Sequence, residues 1–474
     1  MKQRRLGNLY TMGILACLCL VSTVVKAVNV FDRGIYQTTH HSVNLTANSV
    51  GKIAIWSTWA EETPHRSRVE FLEYGQSSLA KFNHSFYVER DSPIAMSDSG
   101  VAIATDLRGN SVFVDQANGI FDVVPSAVSF NDTAYSNFGT HAVFVPGKKD
   151  LAVTAQAEKK NGKLTGSLFL VFNRPRTRYI DTVKLTDAWL HRNRMGRGLF
   201  VTTKGVVILD GVGNKEGTDT HLFFYTFTDE PTQLAKLKIP GKDCLIQYEA
   251  DDGTVIAMCD DTVHLVDPIG IHRWGLQVKG AFQVSPIPKS NLIAVFDEEK
   301  VTLLTPEGKI EREIRWPMDS ASKIYPYSVL SVMEDGTFIG VSRNLDTGRK
   351  KVIAMDSDGV ERGHFDFGYR GEMGHGLSNE VRRMTFRSSV GESTATPGGN
   401  VYVAHFAEGS RRELHFFDSK ANHLYELRSG GGHNFGLPVV IRNPSSGLEG
   451  LIGIPASAYS GTGESAYVQF LGFK

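Results

Sequence analysis

Three groups of residues in this 474-residue chain have types and spacings that could do chemistry. The first is LDGVGNKEG, Leu209 to Gly217, which follows an apolar run and carries glycines as Gly-x-Gly-x-x-x-Gly. A dinucleotide loop needs Gly-x-Gly-x-x-Gly opening a helix, whose first amides hold the pyrophosphate. Here the next residues read as a strand, so a hairpin loop is expected. The second group is acidic: Asp251-Asp252 and Asp260-Asp261 flank a short apolar run. Seven extended residues hold such pairs about 20 Å apart, too far to share an ion. The third group is histidine: His141, His191, His375 and His433 fall in or beside connections between strand groups. No His-x-His or His-Glu-x-x-His spacing and no Gly-x-Ser-x-Gly elbow occurs, so neither a metal site, a cofactor nor a linear catalytic motif is expected.

The elements that must carry these residues are strands. Short runs of Val, Ile, Phe, Tyr and Leu recur between Gly, Asn, Asp and Pro, and helical periodicity is nearly absent. One frame returns five times: VFVDQANGIFDV, HLVDPIGIHRW, TLLTPEGKIEREIRW, IAMDSDGVERGHF and HFFDSKANHLYEL. In it, Asp at a strand end bonds the backbone two residues on and Gly or Asn completes the turn. Most instances lie 38 to 62 residues apart, a repeat period. Four strands per unit, A to D in chain order, give nine candidate units, beginning near Ser42, Ile94, His141, Gly198, Cys244, Ala281, Ser328, Val381 and Pro438. The last supplies only three strands, and VNVFDRGIYQ near the N-terminus could supply the fourth. The fold class expected is therefore all-β, a single β-propeller over 28–474 with its N-terminal strand closing the last blade. Typical propellers have four to eight blades, so eight are expected, with seven or nine as alternatives. Two β-sandwiches are the competing architecture.

Residues 1–27 read as a secretory signal peptide: Lys2, Arg4 and Arg5, an apolar run from Ile14 to Val25, then Val25-Lys26-Ala27. The run is shorter than the roughly 20 residues of a membrane span, and no later segment reaches that length. A secreted protein is expected, periplasmic if the host is bacterial, with no membrane span. Removing the leader leaves 47 Lys and Arg against 51 Asp and Glu, a balance near −4 that suits no general nucleic-acid binder. Cys244 and Cys259 remain in CLIQYEADDGTVIAMC. A four-residue turn pairing Glu249 with Thr254 sets the two cysteines opposite, so a disulfide is expected, with two buried thiols as the alternative. Asn44, Asn83 and Asn131 head glycosylation sequons that count only in a eukaryotic host.

The pair NFGTHAVFVPGKKDLAVTAQ and NFGLPVVIRNPSSGLEGLIGIPAS resembles the FG-GAP repeats of integrin α-chain propellers. Phe138-Gly139 and Phe435-Gly436 match the FG, and Ile454-Pro455-Ala456 stands where Gly-Ala-Pro would be. Leu265 to Trp274 and Leu304 to Trp316 are similar to PQQ-type propeller repeats, as in bacterial outer-membrane assembly scaffolds. The sequence departs from both. The Asp-x-Asp-x-Asp-Gly calcium loop of FG-GAP blades is missing, Asp356-Ser-Asp-Gly359 being a fragment of it, and five tryptophans are too few for regular docking motifs. The resemblance implies a propeller and a binding role, with no cofactor.

Connections are unequal. A–B and C–D turns are mostly short, SSVGESTATPGG from Ser388 to Gly399 excepted, whereas TWAEETPHRSR, AEKKNGKLTG, LTDAWLHRNRMGRG, GVGNKEGTDT, GYRGEMGHGLSNE and FAEGSRRE fall on the opposite face as long segments. A scaffold needs only tight turns, so this face is the expected recognition surface. It carries Lys159, Lys160, Arg192, Arg194, Arg197, His375, Arg411 and Arg412. If they converge, they suit an acidic protein or anionic glycan. A binding or adhesion propeller is the leading expectation. A polysaccharide hydrolase or lyase and a periplasmic assembly scaffold are the alternatives.

Overall fold

A computed structural model describes residues 30–38, 42–48, 50–58, 66–73, 84–87, 95–105, 111–115, 119–124, 128–130, 133–135, 142–148, 150–160, 163–174, 179–185, 199–212, 219–227, 231–241, 244–250, 252–324, 330–367, 401–408, 411–428, 433–435, 439–441, 450–458 and 465–473. The leader region lies outside them. Among the described residues no helix is long and apolar enough to cross a membrane.

The chain is all-β. After β1 (Val30–Gln37), blade 1 is β2 (Ser42–Ala47), β3 (Lys52–Thr58), β4 (Arg66–Glu73) and β5 (His84–Tyr87). Blade 2 is β6 (Ala95–Met96), β7 (Ala102–Thr105), β8 (Ser111–Asp115) and β9 (Gly119–Val124). A hairpin, β10 (Val128–Phe130) and β11 (Thr133–Tyr135), lies against blade 3, which is β12 (Ala142–Phe144), β13 (Ala152–Lys160), β14 (Lys163–Arg174) and β15 (Tyr179–Leu185). Blade 4 is β16 (Leu199–Val201), β17 (Val207–Val212), β18 (Asp219–Phe227) and β19 (Pro231–Pro240). Blade 5 is β20 (Leu245–Glu249), β21 (Val255–Cys259), β22 (Thr262–Val266) and β23 (His272–Gln277). Blade 6 is β24 (Gln283–Pro286), β25 (Ile293–Phe296), β26 (Lys300–Leu304) and β27 (Ile310–Arg315). In blade 7, β28 (Ser322–Ile324) and β29 (Ser331–Val332) both pair with β30 (Phe338–Asn344), followed by β31 (Lys350–Met355) and β32 (Glu361–Asp366). Blade 8 shows β33 (Tyr402–Glu408), β34 (Arg411–Phe417) and β35 (His423–Arg428). In blade 9, β36 (His433–Phe435) and β37 (Val439–Ile441) pair with β38 (Gly450–Ala458), which pairs with β39 (Tyr467–Phe473).

The final strand of blade 9 is β1, antiparallel to β39 from Val30↔Phe473 to Gln37↔Tyr467. Thr38 extends the join, its amide and hydroxyl both donating to the Ala466 carbonyl at 2.9 Å. Among the described residues the count is nine blades, the upper end of the expected range rather than eight, and each of the nine sequence units is matched by a sheet.

Packing closes the ring. Core clusters join blades 1 and 2 through Trp56 and Val112, 2 and 3 through Phe113 and Phe144, and 4 and 5 through Phe224 and Val255. Others join 5 and 6 through Ile256 and Val295, 6 and 7 through Phe296 and Phe338, 7 and 8 through Val352 and Phe417, and 8 and 9 through Phe416 and Ile454. Blades 3 and 4 meet where Gly205 backs onto Val145 and Pro146. Blade 9 packs on blade 1 through Leu45, Ile53, Leu451 and Val468. Every blade thus has a neighbour on both faces. This explains why the second and third strands read as unbroken apolar runs: all five residues of β21 are buried, while outer β23 and β32 alternate. Each large side chain so buried is worth about 1.5–3 kcal/mol.

The turns follow one pattern. In the A–B turns of blades 2, 4, 5 and 7, Gly100, Gly205, Gly253 and Gly336 take positive φ, and the amide of the turn's first residue reaches the carbonyl four residues on. This is the three-residue turn with a bulge, which needs a left-handed residue. The C–D glycines also serve packing: Gly308 backs onto the ring of Trp274 in the preceding blade, whose Nε1 donates to the Pro306 carbonyl at 2.8 Å.

Cys244 and Cys259 are bonded to each other. The local register differs from the expected one. Glu249 pairs with Val255, not Thr254, and a bulge between Ile246 and Tyr248 absorbs the offset before Leu245↔Met258. Two irregularities cancel, and the cysteines still meet.

Replacing both Cys244 and Cys259 with alanine is expected to lower unfolding free energy by about 3 kcal/mol, as for a closed loop of this length; denaturant titration measures it. Deleting residues 30–38 is expected to expose the β39 edge and lower the melting temperature, and a synthetic peptide of that sequence added in trans should restore it. A truncated chain that melts like the whole one would overturn the closure.

Candidate functional site

The expected recognition face is only partly visible. Arg192, Arg194, Arg197, His375, His141, His191, Asn83, Asn131 and Asp251 lie outside the described residues. Lys159 and Lys160 do not occupy an open loop: Lys159 pairs with Leu164 and Lys160 with Lys163, so AEKKNGKLTG is the tip of a paired hairpin. The same correction holds for FAEGSRRE, where Ala407 pairs with Arg412 and Glu408 with Arg411. Backbone pairing is indifferent to side-chain polarity, and a strand tip projecting into water has no buried face to mark it in sequence. These hairpins belong to blades 3 and 8, with four blades between them one way round and three the other. Lys159 and Lys160 thus belong to one blade and Arg411 and Arg412 to another.

The remaining candidates are structural. Residues Leu209 to Val212 of the glycine-rich stretch belong to β17, and β18 follows as a strand. Asp260, at φ 51°, makes a two-residue turn with Asp261, which accepts from Gln277 Nε2 at 3.1 Å. Asp252 accepts the Thr254 amide at 2.8 Å. Asn44 lies on β2 in register with Trp56. His433 Nε2 donates to the Ser465 carbonyl at 3.0 Å, and its ring meets Tyr467 edge-on within blade 9.

The side chains best arranged for chemistry lie on the outer two strands of blades 5 and 8. There the repeat reads HLVDPIGIH and HFFDSKANH, with histidines eight residues apart across the C–D turn. The turns match: the Asp267 amide reaches the Ile271 carbonyl at 2.8 Å, and that of Asp418 reaches Asn422 at 3.2 Å. A bulge follows each, pairing Val266 with His272 and Phe417 with His423. It turns the outer histidine back onto the inner one. His264 Nδ1 lies 3.1 Å from His272 Nε2, and His415 Nδ1 lies 3.0 Å from His423 Nε2. The two ring pairs have centroids 5.3 and 5.2 Å apart, tilted by 48° and 46°.

Their surroundings diverge. In blade 5, Thr262 stands two residues before the inner histidine and Gly275 stands opposite it. A Cβ on Gly275 would fall 2.7 Å from His264 Nδ1, so the ring occupies that space. His264 Nε2 is buried without a well-formed hydrogen bond. Burial, then the neighbouring His272, pulls the His264 pKa from 6.5 to about 4, the Pro240 carbonyl offsetting part of this.

In blade 8 the same two positions hold Glu413 and Glu426. His415 Nε2 lies 3.1 Å from Glu413 Oε2, and both residues are buried. A carboxylate only accepts, so Nε2 carries the proton and, in the neutral ring, Nδ1 keeps its lone pair. Glu426 Oε2 is 3.8 Å from that Nδ1. Arg428 Nε pairs with Glu426 and lies 3.6 Å from Glu413 Oε1. Blade 7 roofs the group: Phe365 stacks on His423 at 4.9 Å and 18°, and Phe367 stands edge-on to His415 at 5.2 Å. Burial holds His423 below the ordinary imidazole range. One ring nitrogen each of His415 and His423 and a Glu426 oxygen all lie within 4.8 Å of one another. Sequence hides this donor set because its ligands sit on two paired strands, not within one turn or on one helix face. Its signal was the shared spacing, His-x-x-Asp-x-x-x-x-His, in two repeat instances.

No family model matches the chain, and no curated protein matches it by sequence. Among solved structures, a eukaryotic initiation factor is 12% identical with a TM-score of 0.45, over 92% of this chain and 98% of the other. The WD40 domain of SCAP from fission yeast is 9% identical with a TM-score of 0.39, over 94% and 98%. Raptor from Chaetomium thermophilum is 9% identical with a TM-score of 0.38, over 70% of this chain and 28% of that one. These likenesses concern the trace of the chain alone.

Because His264 is neutral in the fold and protonates freely when unfolded, its site is most favourable above pH 6.5 and loses stability as pH falls from 6.5 to about 4. The full difference is on the order of 3 kcal/mol. Denaturant unfolding at pH 7 and pH 4.5 should show His264→Phe losing less stability than the parent; equal losses would place the acid sensitivity elsewhere.

Proposed function

We propose that this chain is an exported binding propeller that recognises closely spaced anionic groups through the face carrying its B–C hairpins. The observation that carries the reading is the β13–β14 hairpin, paired to Lys160↔Lys163, whereas the corresponding strands of blade 5 end at Cys259↔Thr262 after five residues each. Four further residues of β13 project about 13 Å. The tip carries Lys159, Lys160 and Lys163, presented by a ladder that loses little freedom on binding. The connection between blades 3 and 4 adds Arg192, Arg194 and Arg197 in sequence beside it. Against a near −4 balance, a local basic tip is a departure from the average surface.

Export rests on the leader-like first 27 residues and agrees with the Cys244–Cys259 bond, since disulfides persist in oxidising compartments. The finer likenesses fit the same picture. In favour of the FG-GAP relation, Phe435 is buried in the seam between blades 8 and 9. In favour of the PQQ-type relation, Trp274 docks on the next blade's turn.

Heparin serves as the test polyanion. The parent is expected to be retained at 0.15 M salt, and Lys159→Glu with Lys160→Glu and Lys163→Glu to weaken affinity by about tenfold or more, at up to 1 kcal/mol per surface pair. Identical salt elution of parent and triple variant sinks this face as the anion site.

A further inference from the structure

We propose that His415, His423 and Glu426 form a site for a divalent transition-metal ion of the zinc type, with Glu413 as the positioning residue that orients His415. Nothing in this proposal depends on the anion-binding reading.

The argument starts from two copies of one geometry. Blade 5 has a histidine pair with the same spacing, turn, bulge and ring separation, closed as a nitrogen-to-nitrogen contact of 3.1 Å. That pair is therefore a feature the scaffold tolerates without added charge. Blade 8 keeps the pair and adds a carboxylate at both adjacent positions, Glu413 where blade 5 has Thr262 and Glu426 where it has Gly275.

Both additions act in a direction that suits a cation. Glu413, buried against His415 Nε2, fixes the tautomer whose lone pair sits on Nδ1. Metal-bound histidines commonly donate their other ring N–H to a carboxylate in this way. Glu426 brings a second acceptor to the same point, 3.8 Å from His415 Nδ1. One cation can accept a lone pair from each of the three groups at once. Two nitrogens bound at 2.0–2.1 Å in a tetrahedral site stand roughly 3.3 Å apart, close to the 3.0 Å between His415 and His423. The charges of Glu413, Glu426 and Arg428 leave about one net negative charge beside two neutral rings. Two imidazoles and one carboxylate suit zinc, copper or nickel and not calcium or magnesium, which take oxygen ligands. His415 is buried, His423 is on the exposed side, and the aromatic roof of Phe365 and Phe367 limits solvent from blade 7. Three protein ligands leave a tetrahedral ion one position for water or an external donor.

The experiment uses the untagged full chain, stripped with EDTA and dialysed. Calorimetric titration with Zn²⁺ should give one equivalent per chain, and Co²⁺ should give the visible absorption of a low-coordinate nitrogen–oxygen site. His423→Gln and Glu426→Gln should each abolish the stoichiometric step, and Glu413→Gln should weaken it about 10–100-fold. His272→Gln in blade 5 should bind as the parent does. Glu426 is half-buried at the surface, so its variant keeps the test valid even if His423→Gln does not fold. Absence of stoichiometric uptake by the parent, parent-like titration of Glu426→Gln, or equal loss in His272→Gln would each overturn the site.

Discussion

The structure depends on the pairing of β1 with β39. A row of stacked sheets has two end faces and, at its last sheet, an open edge. In this molecule every interior blade gives up both faces to its neighbours, as the buried runs of β21, β25 and β31 require. An unclosed row would leave two such apolar faces in water, with a bare β39 ladder beside them. Bringing residue 30 to residue 473 removes the edge and presses blade 9 onto blade 1. The entropy of closing so long a loop grows only logarithmically with length, so one closure is a small cost beside the area it buries.

Polar clamps reinforce several of these seams at the first strands and their A–B turns. Asn48 Nδ2 donates to the Ser97 carbonyl at 3.1 Å, and Ser97 Oγ donates to Asp150 at 2.7 Å. The Thr203 amide reaches both oxygens of Glu249 at 3.0 and 2.9 Å, and Gln247 accepts the Val284 amide at 2.8 Å. Gln283 serves Leu330 in the same way, accepting its amide at 3.0 Å. Burial raises the Glu249 pKa, and the Thr203 bonds counter that. These contacts fix the angle between blades, which apolar packing alone leaves loose.

What the sequence disclosed follows from which interactions are local. The Asp-initiated turn with its left-handed residue is written in four or five consecutive residues, so units starting near Ser42, Gly198, Cys244 and Ala281 coincide with observed first strands. The ring size was not local. It depends on how much each sheet twists against the next, and the described residues form nine blades where eight are expected. Hairpin extent was also hidden, since Glu158 to Lys163 is polar on both faces and reads as a loop until its pairing is seen. The cysteine register came out correctly although Glu249 pairs with Val255, because the bulge near Gln247 shifts the ladder back. That agreement owed something to two cancelling irregularities. The histidine pairs needed the turn and the bulge together, and neither alone predicts that residues eight apart will touch.

The outer strands explain where chemistry is possible in such a ring. Inner strands are packed on both faces, and a charge placed there loses its water with no partner to replace it. Outer strands β23 and β32 mix exposed and half-buried residues, and β35 is half-buried between two exposed ends, so water reaches one side of the fourth strand. His264 and His415 are buried on β22 and β34, just inside that outer strand, and their partners His272 and His423 stand on its exposed side. The scaffold makes no distinction between them: the same bulge delivers the same pair twice. Thr262 and Gly275 leave the first pair an uncharged contact whose protonation opposes folding. Glu413 and Glu426 give the second a defined tautomer and converging acceptors, so two side-chain identities separate a tolerated histidine pair from an oriented donor set.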